Sequence, residues 1–370
     1  MNLGSLTQFY KTNVQSLFLA NNQVLGLDIG SSAIKLVQIK ETKGAYALQK
    51  FGIKPLEAEV IVDGTVMNPG RVIATIKELV QEHGVKLKNV AMSISGHSVI
   101  VKKINLPPMP ESELESQVKL AAEQYIPFDI NEVNLDFYLL NPNEMTEEGE
   151  TQSSVLLVAA KKDKVSEFTE LVIGAGLTPV ILDVDAFAIE NMYCVNYDVK
   201  PEQVTTLVNI GASVMNVNIL KAGTSVFTRD ISVGGNRYTE AIQREMGMSF
   251  EKAETSKRMA QGDRSGEEDV TSVVEGVNAE LSSEIARTID YFKTSALDVE
   301  VDRIVMCGGC AKVEGLVQQL SDRMGVTVEI ANPFSRIDTT GADFDQEMLS
   351  ELGPQASVGV GLALRFIGDR

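Results

Sequence analysis

Asp28, Gly30, Ser31, Ser32 and Lys35 lie together in LGLDIGSSAIKLV (Leu25–Val37). Glycine has no Cβ, so a ligand can approach its backbone closely. Successive N–H groups of such a turn point into one concavity that suits phosphate oxygens. Ser31 and Ser32 add hydroxyl donors. Asp28 offers a carboxylate suited to hydrated Mg²⁺, and Lys35 on the outgoing strand can neutralise phosphate charge. The loop is not a Walker A motif, which needs GxxxxGK[ST] opening a helix; here strand alternation resumes after the turn. LVNIGASVMNVNIL (Leu207–Leu220) repeats the pattern, with Asn209 for Asp28, Gly211 for Gly30, Ala212 for Ser31 and Ser213 for Ser32. One such turn fits a plain hairpin. Two, each opening a three-strand unit, point to twin phosphate turns facing one cleft.

Periodicity gives the elements that must position these turns. Strands are expected at Val24–Ile29, Ala33–Ile39 and Tyr46–Pro55, and a helix over Asn68–Gly84. Strands Val90–Ser95 and Val99–Leu106 follow, then an amphipathic helix Glu111–Ile126, a strand Val133–Leu140 and an acidic loop Asn141–Gln152. Next come a strand Val155–Ala160, a helix Asp163–Ala175, a strand Thr178–Val184 and a helix Ala186–Tyr197. The second hairpin, Thr206–Leu220, has Ser225–Ser232 as its third strand. Asn236–Ala296 reads as helical, broken at Gly247 and at Gly262–Gly266. A buried strand Asp302–Cys307, a helix Leu316–Met324, a strand Val326–Ile330, an acidic loop Asp338–Glu351 and an apolar helix Ser357–Ile367 complete the chain. Alternating strands and helices imply α/β layers.

The chain has 370 residues, 44% of them apolar, enough for two or three domains. A formal net charge of −18 disfavours steering to nucleic acid or anionic lipid. Three cysteines fit a reducing interior rather than a disulfide scaffold. No apolar run approaches the ~20 residues that span a bilayer. The first residues lack the hydrophobic block of a signal peptide. Leu3, Leu6, Phe9, Tyr10, Val14, Leu17 and Phe18 do recur there at helical spacing. They fit a tail, a docked helix or a weak anchor.

Three further segments carry a resemblance. Val305–Leu316 reads VMCGGCAKVEGL, a buried strand followed by Gly-Gly and a helix. Glu254 and Lys257 form a Glu-x-x-Lys pair in KAETSK, and Ile181–Glu190 reads ILDVDAFAIE. With the two turns, they resemble the actin-like ATPase superfamily, which includes sugar kinases, Hsp70 and the cell-division protein FtsA. The resemblance implies an α/β actin-like ATPase fold of two similar lobes around a nucleotide cleft, with ATP and Mg²⁺ as cofactors. It makes the turns the two phosphate loops and Asp28 the metal-binding carboxylate. Gly308 and Gly309 would pass under the base, Lys312 would lie against the purine, and Glu254 and Lys257 would touch the ribose. Asp185 would position the attacking water, with Asp183 the alternate.

LGLDIGSSAIKLVQIK, NLPPMPESELESQVKLAAEQYIPFDINEV and VNIGAS narrow the match: the chain resembles the PilM family of type IV pilus assembly. That implies an FtsA-like layout. Residues 1–23 form a tail. Residues 24–55 and 153–200, with part of 354–370, form the first lobe, into which a small subdomain, 56–152, is inserted. Residues 201–235 and 298–353 form the second lobe's core, and 236–297 its helical subdomain. The resemblance also implies a partner, the cytoplasmic N-terminal peptide of PilN, held in a groove between the inserted subdomain and the first lobe. Other pilus assembly proteins and self-association are further implied contacts. The protein is then cytoplasmic, peripheral to the inner membrane through its partners. Asn209 departs from ATPase relatives that have Asp there. A neutral amide supplies no charge to a metal, so hydrolysis is expected to be slow at most, because phosphoryl transfer depends on such positioning.

Rival readings remain. Cys307-Gly-Gly-Cys310 is formally a CxxC, although zinc would need more ligands than Cys194 adds. His83 and His97 form no metal-like pair. The stripe Leu114, Val118, Ala121, Ala122, Tyr125 is either core or a partner face. A small-molecule kinase of the same superfamily and an FtsA-like filament are the functional rivals.

Overall fold

The computed structural model describes residues 23–145, 149–259, 270–295, 299–341 and 344–368. The tail expected before residue 23 and the break at Gly262–Gly266 lie outside them. The first half opens with a meander of β1 (Leu25–Ile29), β2 (Ala33–Thr42) and β3 (Ala45–Pro55). A two-residue ribbon follows, β4 (Ile61–Val62) and β5 (Thr65–Val66), then α1 (Pro69–Glu82) and β6 (Asn89–Ile94). Helix α1 starts where Asn68 accepts a bond from the Arg71 N–H and Pro69 presets the first turn. It buries Val72, Ile76 and Leu79 against Leu25, Leu27 and Leu36.

Next come β7 (Val99–Leu106), α2 (Glu111–Tyr125), β8 (Val133–Met145), β9 (Thr151–Lys161), α3 (Lys162–Gly174), β10 (Thr178–Val184) and α4 (Asp185–Asn196). The second half repeats the meander as β11 (Val204–Ile210), β12 (Met215–Lys221) and β13 (Thr224–Ile231). It continues with α5 (Asn236–Met246), α6 (Phe250–Met259), α7 (Thr271–Ser295), β14 (Arg303–Cys307), α8 (Leu316–Met324) and β15 (Thr327–Ile330). Strand β16 (Ile337–Asp338), α9 (Gln346–Leu352) and α10 (Ser357–Ala363) end the described chain.

The two main sheets share one topology. The first runs β16-β3-β2-β1-β6-β10 and the second β13-β12-β11-β14-β15. In each, an antiparallel meander continues through its first strand into two parallel strands. Strands β1 and β11 are buried along their whole length, as central strands covered on both faces require.

Helices α4 and α10 lie between the sheets. Ala188, Ile189 and Met192 of α4 pack with Val358, Val360 and Leu362 of α10, and with Val37 and Leu48 of one sheet and Leu207 and Val305 of the other. Their crossing is close: a Cβ on Gly361 would stand 1.6 Å from the Ala188 carbonyl oxygen, and one on Gly26 would stand 2.2 Å from that of Gly359.

The inserted unit is smaller than the expected 56–152. Residues 56–94 belong to the first lobe, because β6 pairs with both β1 and β10 and α1 packs on that sheet. The separate unit is the three-stranded sheet β7-β9-β8 with α2, cored by Ile104, Leu114, Val118, Val155 and Leu157. The stripe on α2 divides: Leu114, Val118 and Ala122 are core, and Tyr125 is exposed. Strand β8 runs on into the expected acidic loop as far as Met145, with register shifts at Leu139/Asn141 and Asn141/Glu144. The acidic loop Asp338–Glu351 contains α9, begun where Asp345 accepts from the Glu347 and Met348 N–H groups.

Candidate functional site

The twin turns are built alike. The Gly30 N–H donates to the Ala33 carbonyl at 3.2 Å, and the Gly211 N–H to the Val214 carbonyl at 3.0 Å. One step back, Asp28 faces Lys35 across the first hairpin and Asn209 faces Asn216 across the second. The first pair is ionic, Lys35 Nζ to Asp28 Oδ2 at 3.1 Å. The second is a pair of amides, Asn209 Nδ2 donating to Asn216 Oδ1 at 2.8 Å. The tips meet where Ser213 Oγ donates to Ser31 Oγ at 2.5 Å. Ser32 beside them is exposed, and Gly30, Gly211 and Ala212 are partly so.

The second turn rests in a cradle. The Gly235 N–H donates to the Gly211 carbonyl and the Asn236 N–H to that of Ala212, both at 2.8 Å. A Cβ on Gly234 would stand 2.5 Å from the Gly211 oxygen. Gly308 has φ +89°, and a Cβ on it would meet the Ile210 carbonyl oxygen at 2.4 Å. A Cβ on Gly309 would find its nearest neighbour, Gln355, at 3.9 Å, so this glycine borders open space. Lys257 Nζ pairs with Glu254 at 2.5 Å, touches Thr239 Oγ1 at 3.0 Å and reaches the Gly235 carbonyl at 3.4 Å. Gly211–Ser213, Gly308, Glu254 and Lys257 therefore gather around one loop. Lys312 does not join them. It donates to the Ser350 carbonyl and lines a separate cavity of about 360 Å³ with Pro333, Phe334 and Leu349.

The two candidate catalytic acids part company. Asp185, at the head of α4, accepts from Ser93 Oγ at 2.6 Å. Burial first, then the charges of Asp28 and Asp230, push its carboxyl up to about 6, against bonds from Ser93 and Ser95. Asp183 is held by Arg365 at 2.5 Å and by the Val184 N–H at 2.8 Å. The alternate is thus tied to the C-terminal segment, and Asp185 shares the field of Asp28.

Asp230, which the sequence reading missed, accepts from Asn216 Nδ2 at 2.8 Å and from the Gly96 N–H at 2.5 Å. Burial raises its carboxyl. Gly234 and Gly235 were also missed, although the pair GG after the third strand of the repeat is a legible signal; Asp230 has none.

Glycine turns from both halves, serine hydroxyls at their tips and a lysine-paired carboxylate fit a nucleoside triphosphate. Among the described residues no group of three or more His, Cys, Asp or Glu is placed to hold a metal. Mg²⁺ needs only one or two carboxylates when phosphates and waters complete its shell, and Asp28 fits that role. The cysteines do not fit redox chemistry. Cys307 and Cys310 are free and buried, and burial pushes their thiols up to about 12 and about 11, away from thiolate. His83 packs over Gly52, and His97 Nε2 bonds Ser232 Oγ at 2.6 Å. A cavity of about 480 Å³ opens between the inserted sheet and the lobes, lined by Val99, Val101, Phe128, Lys161, Arg229 and Asp230. Among the described residues no helix is long and apolar enough to cross a membrane.

A family model described as type IV pilus assembly protein PilM matches residues 26–367. A solved structure titled PilM-PilN type IV pilus biogenesis complex is similar at 33% identity and a TM-score of 0.83, covering 93% of this chain and 98% of that one. The ethanolamine utilization protein EutJ from Carboxydothermus hydrogenoformans shares the fold, at 18% identity and a TM-score of 0.55, over 92% of this chain and 89% of that one. The fold is actin-like, and the family does not favour the small-molecule kinase or filament readings. On the match over residues 26–367, the chain belongs to the type IV pilus assembly protein PilM family.

Proposed function

We propose that this chain is an ATP-binding scaffold of the type IV pilus assembly platform that takes the cytoplasmic N-terminal peptide of PilN. It then works on the cytoplasmic face of the inner membrane through that partner. The nucleotide reading is carried by one observation: the twin glycine turns, one from each half, meet tip to tip through Ser31 and Ser213. Ser31 and Ser213 would offer their hydroxyls to a phosphate between the turns, with Lys35 beside it. Gly211–Ser213 and the Gly308–Gly309 loop cradle the rest of the nucleotide, and Glu254 and Lys257 hold its sugar. Bound Mg²⁺-ATP supplies an electrophilic phosphorus. Asp28 would anchor the metal and Asp185 would orient a water. The Asn209–Asn216 amides add no charge, so turnover is slow.

The partner reading rests on the likeness to the PilM-PilN structure. The cavity beside β7 supports it, lined by apolar Val99, Val101 and Phe128 together with the cations Lys161 and Arg229 and the carboxylate Asp230. Titration calorimetry of the full chain with Mg²⁺-ATP, and separately with a synthetic PilN N-terminal peptide, tests both parts. Saturable one-to-one binding is expected for each. Absence of either removes that part of the reading.

A further inference from the structure

The second turn and the groove converge on Asp230. Asn209 donates to Asn216, Asn216 donates to Asp230 Oδ1, and the Gly96 N–H donates to Asp230 Oδ2. Gly96 opens the short turn Gly96–Ser98 that leads into β7. Both Gly96 and Asp230 line the cavity of about 480 Å³. Two residues on, Ser232 meets His97 of the same short turn. One carboxylate thus bonds the hairpin bearing Gly211–Ser213 and, with its other oxygen, the root of the inserted sheet.

We propose that Asp230 is a positioning residue that transmits nucleotide occupancy at the second turn to the partner groove. This rests on the function proposed above. A phosphate that separates Ser31 from Ser213 shifts the β11–β12 hairpin, and Asn216 moves with it. A buried carboxylate that loses a hydrogen bond is left under-satisfied at a large cost. Asp230 therefore follows Asn216 and draws Gly96 and the start of β7 along. The coupling is reciprocal, so peptide in the groove changes ATP affinity by the same factor.

The test is peptide titration of the full chain in Mg²⁺ buffer, with and without saturating ATP, the probe being the synthetic PilN N-terminal peptide. The parent's peptide affinity should differ about fivefold or more between the two conditions. Asn216→Ala, outside the groove, should bring that ratio to one while both ligands still bind. Asp230→Ala alters the groove lining and its peptide affinity, yet should also bring the ratio to one, and the double variant should leave it there, since both act on one path. Asn216→Ala leaves the Asp230–Gly96 bond in place, so it carries the test if Asp230→Ala fails to fold. A parental ratio in a folded variant overturns the relay. A parent that binds both ligands without mutual effect also overturns it, yet leaves the proposed function standing. A parent that binds no ATP overturns both.

Discussion

At the residue scale, the two halves differ in charge where they agree in shape. Asp28–Lys35 and Asn209–Asn216 occupy matching positions across their hairpins. Asn209→Asp sets a carboxylate against Asn216 Oδ1, an acceptor facing an acceptor. It should cost about 1–3 kcal/mol, read from urea unfolding. Adding Asn216→Lys rebuilds the pair of the first half, and the double variant should recover much of that loss. A single variant as stable as the parent contradicts the amide pairing.

Asp185 gives a pH test. Its carboxyl is raised from 3.8 to about 6 in the fold, so between those values the folded state binds the extra proton. Stability then falls as pH rises through that window. Asp185→Asn carries no such charge. It should exceed the parent in unfolding free energy, read from urea titration, above about pH 7, by at most about 3 kcal/mol, and the gap should close toward about pH 4. A gap independent of pH contradicts the burial of that charge.

At the element scale, α4 and α10 join the lobes through contacts with no spare room. Gly361→Val drives a branched side chain into the Ala188 carbonyl, already 1.6 Å from where a Cβ would sit. It should cost about 3 kcal/mol, seen as a lower melting temperature; an unchanged value contradicts the crossing. This scale also divides what was legible in the sequence. The twin meanders were readable because local alternation around a glycine turn marks a hairpin. The membership of β6 was not, because its partners β1 and β10 lie far off in the chain and parallel pairing leaves no local mark. Strand β8 was cut short because Asn141–Met145 is polar, yet its backbone finds partners in β9. Helix α9 escaped because its acidic residues mask the Asp345 cap.

At the scale of the whole molecule, the same strand order occurs twice, and the repeat brings two glycine turns to one place. The placement of Asp28, Gly30, Gly211 and Ser213 at the paired turns was legible because each sits in a repeated pattern. The direction of Lys312 and the choice between Asp185 and Asp183 depend on contacts with Ser350 and Arg365, which spacing does not encode. Mg²⁺-ATP titration calorimetry of the parent, Gly30→Val and Gly211→Val, each first shown folded by its melting curve, tests the claim that both halves grip one triphosphate. One-to-one binding by the parent, lost in both variants, is the predicted result. Parental affinity in either folded variant, or no binding by the parent, would contradict it.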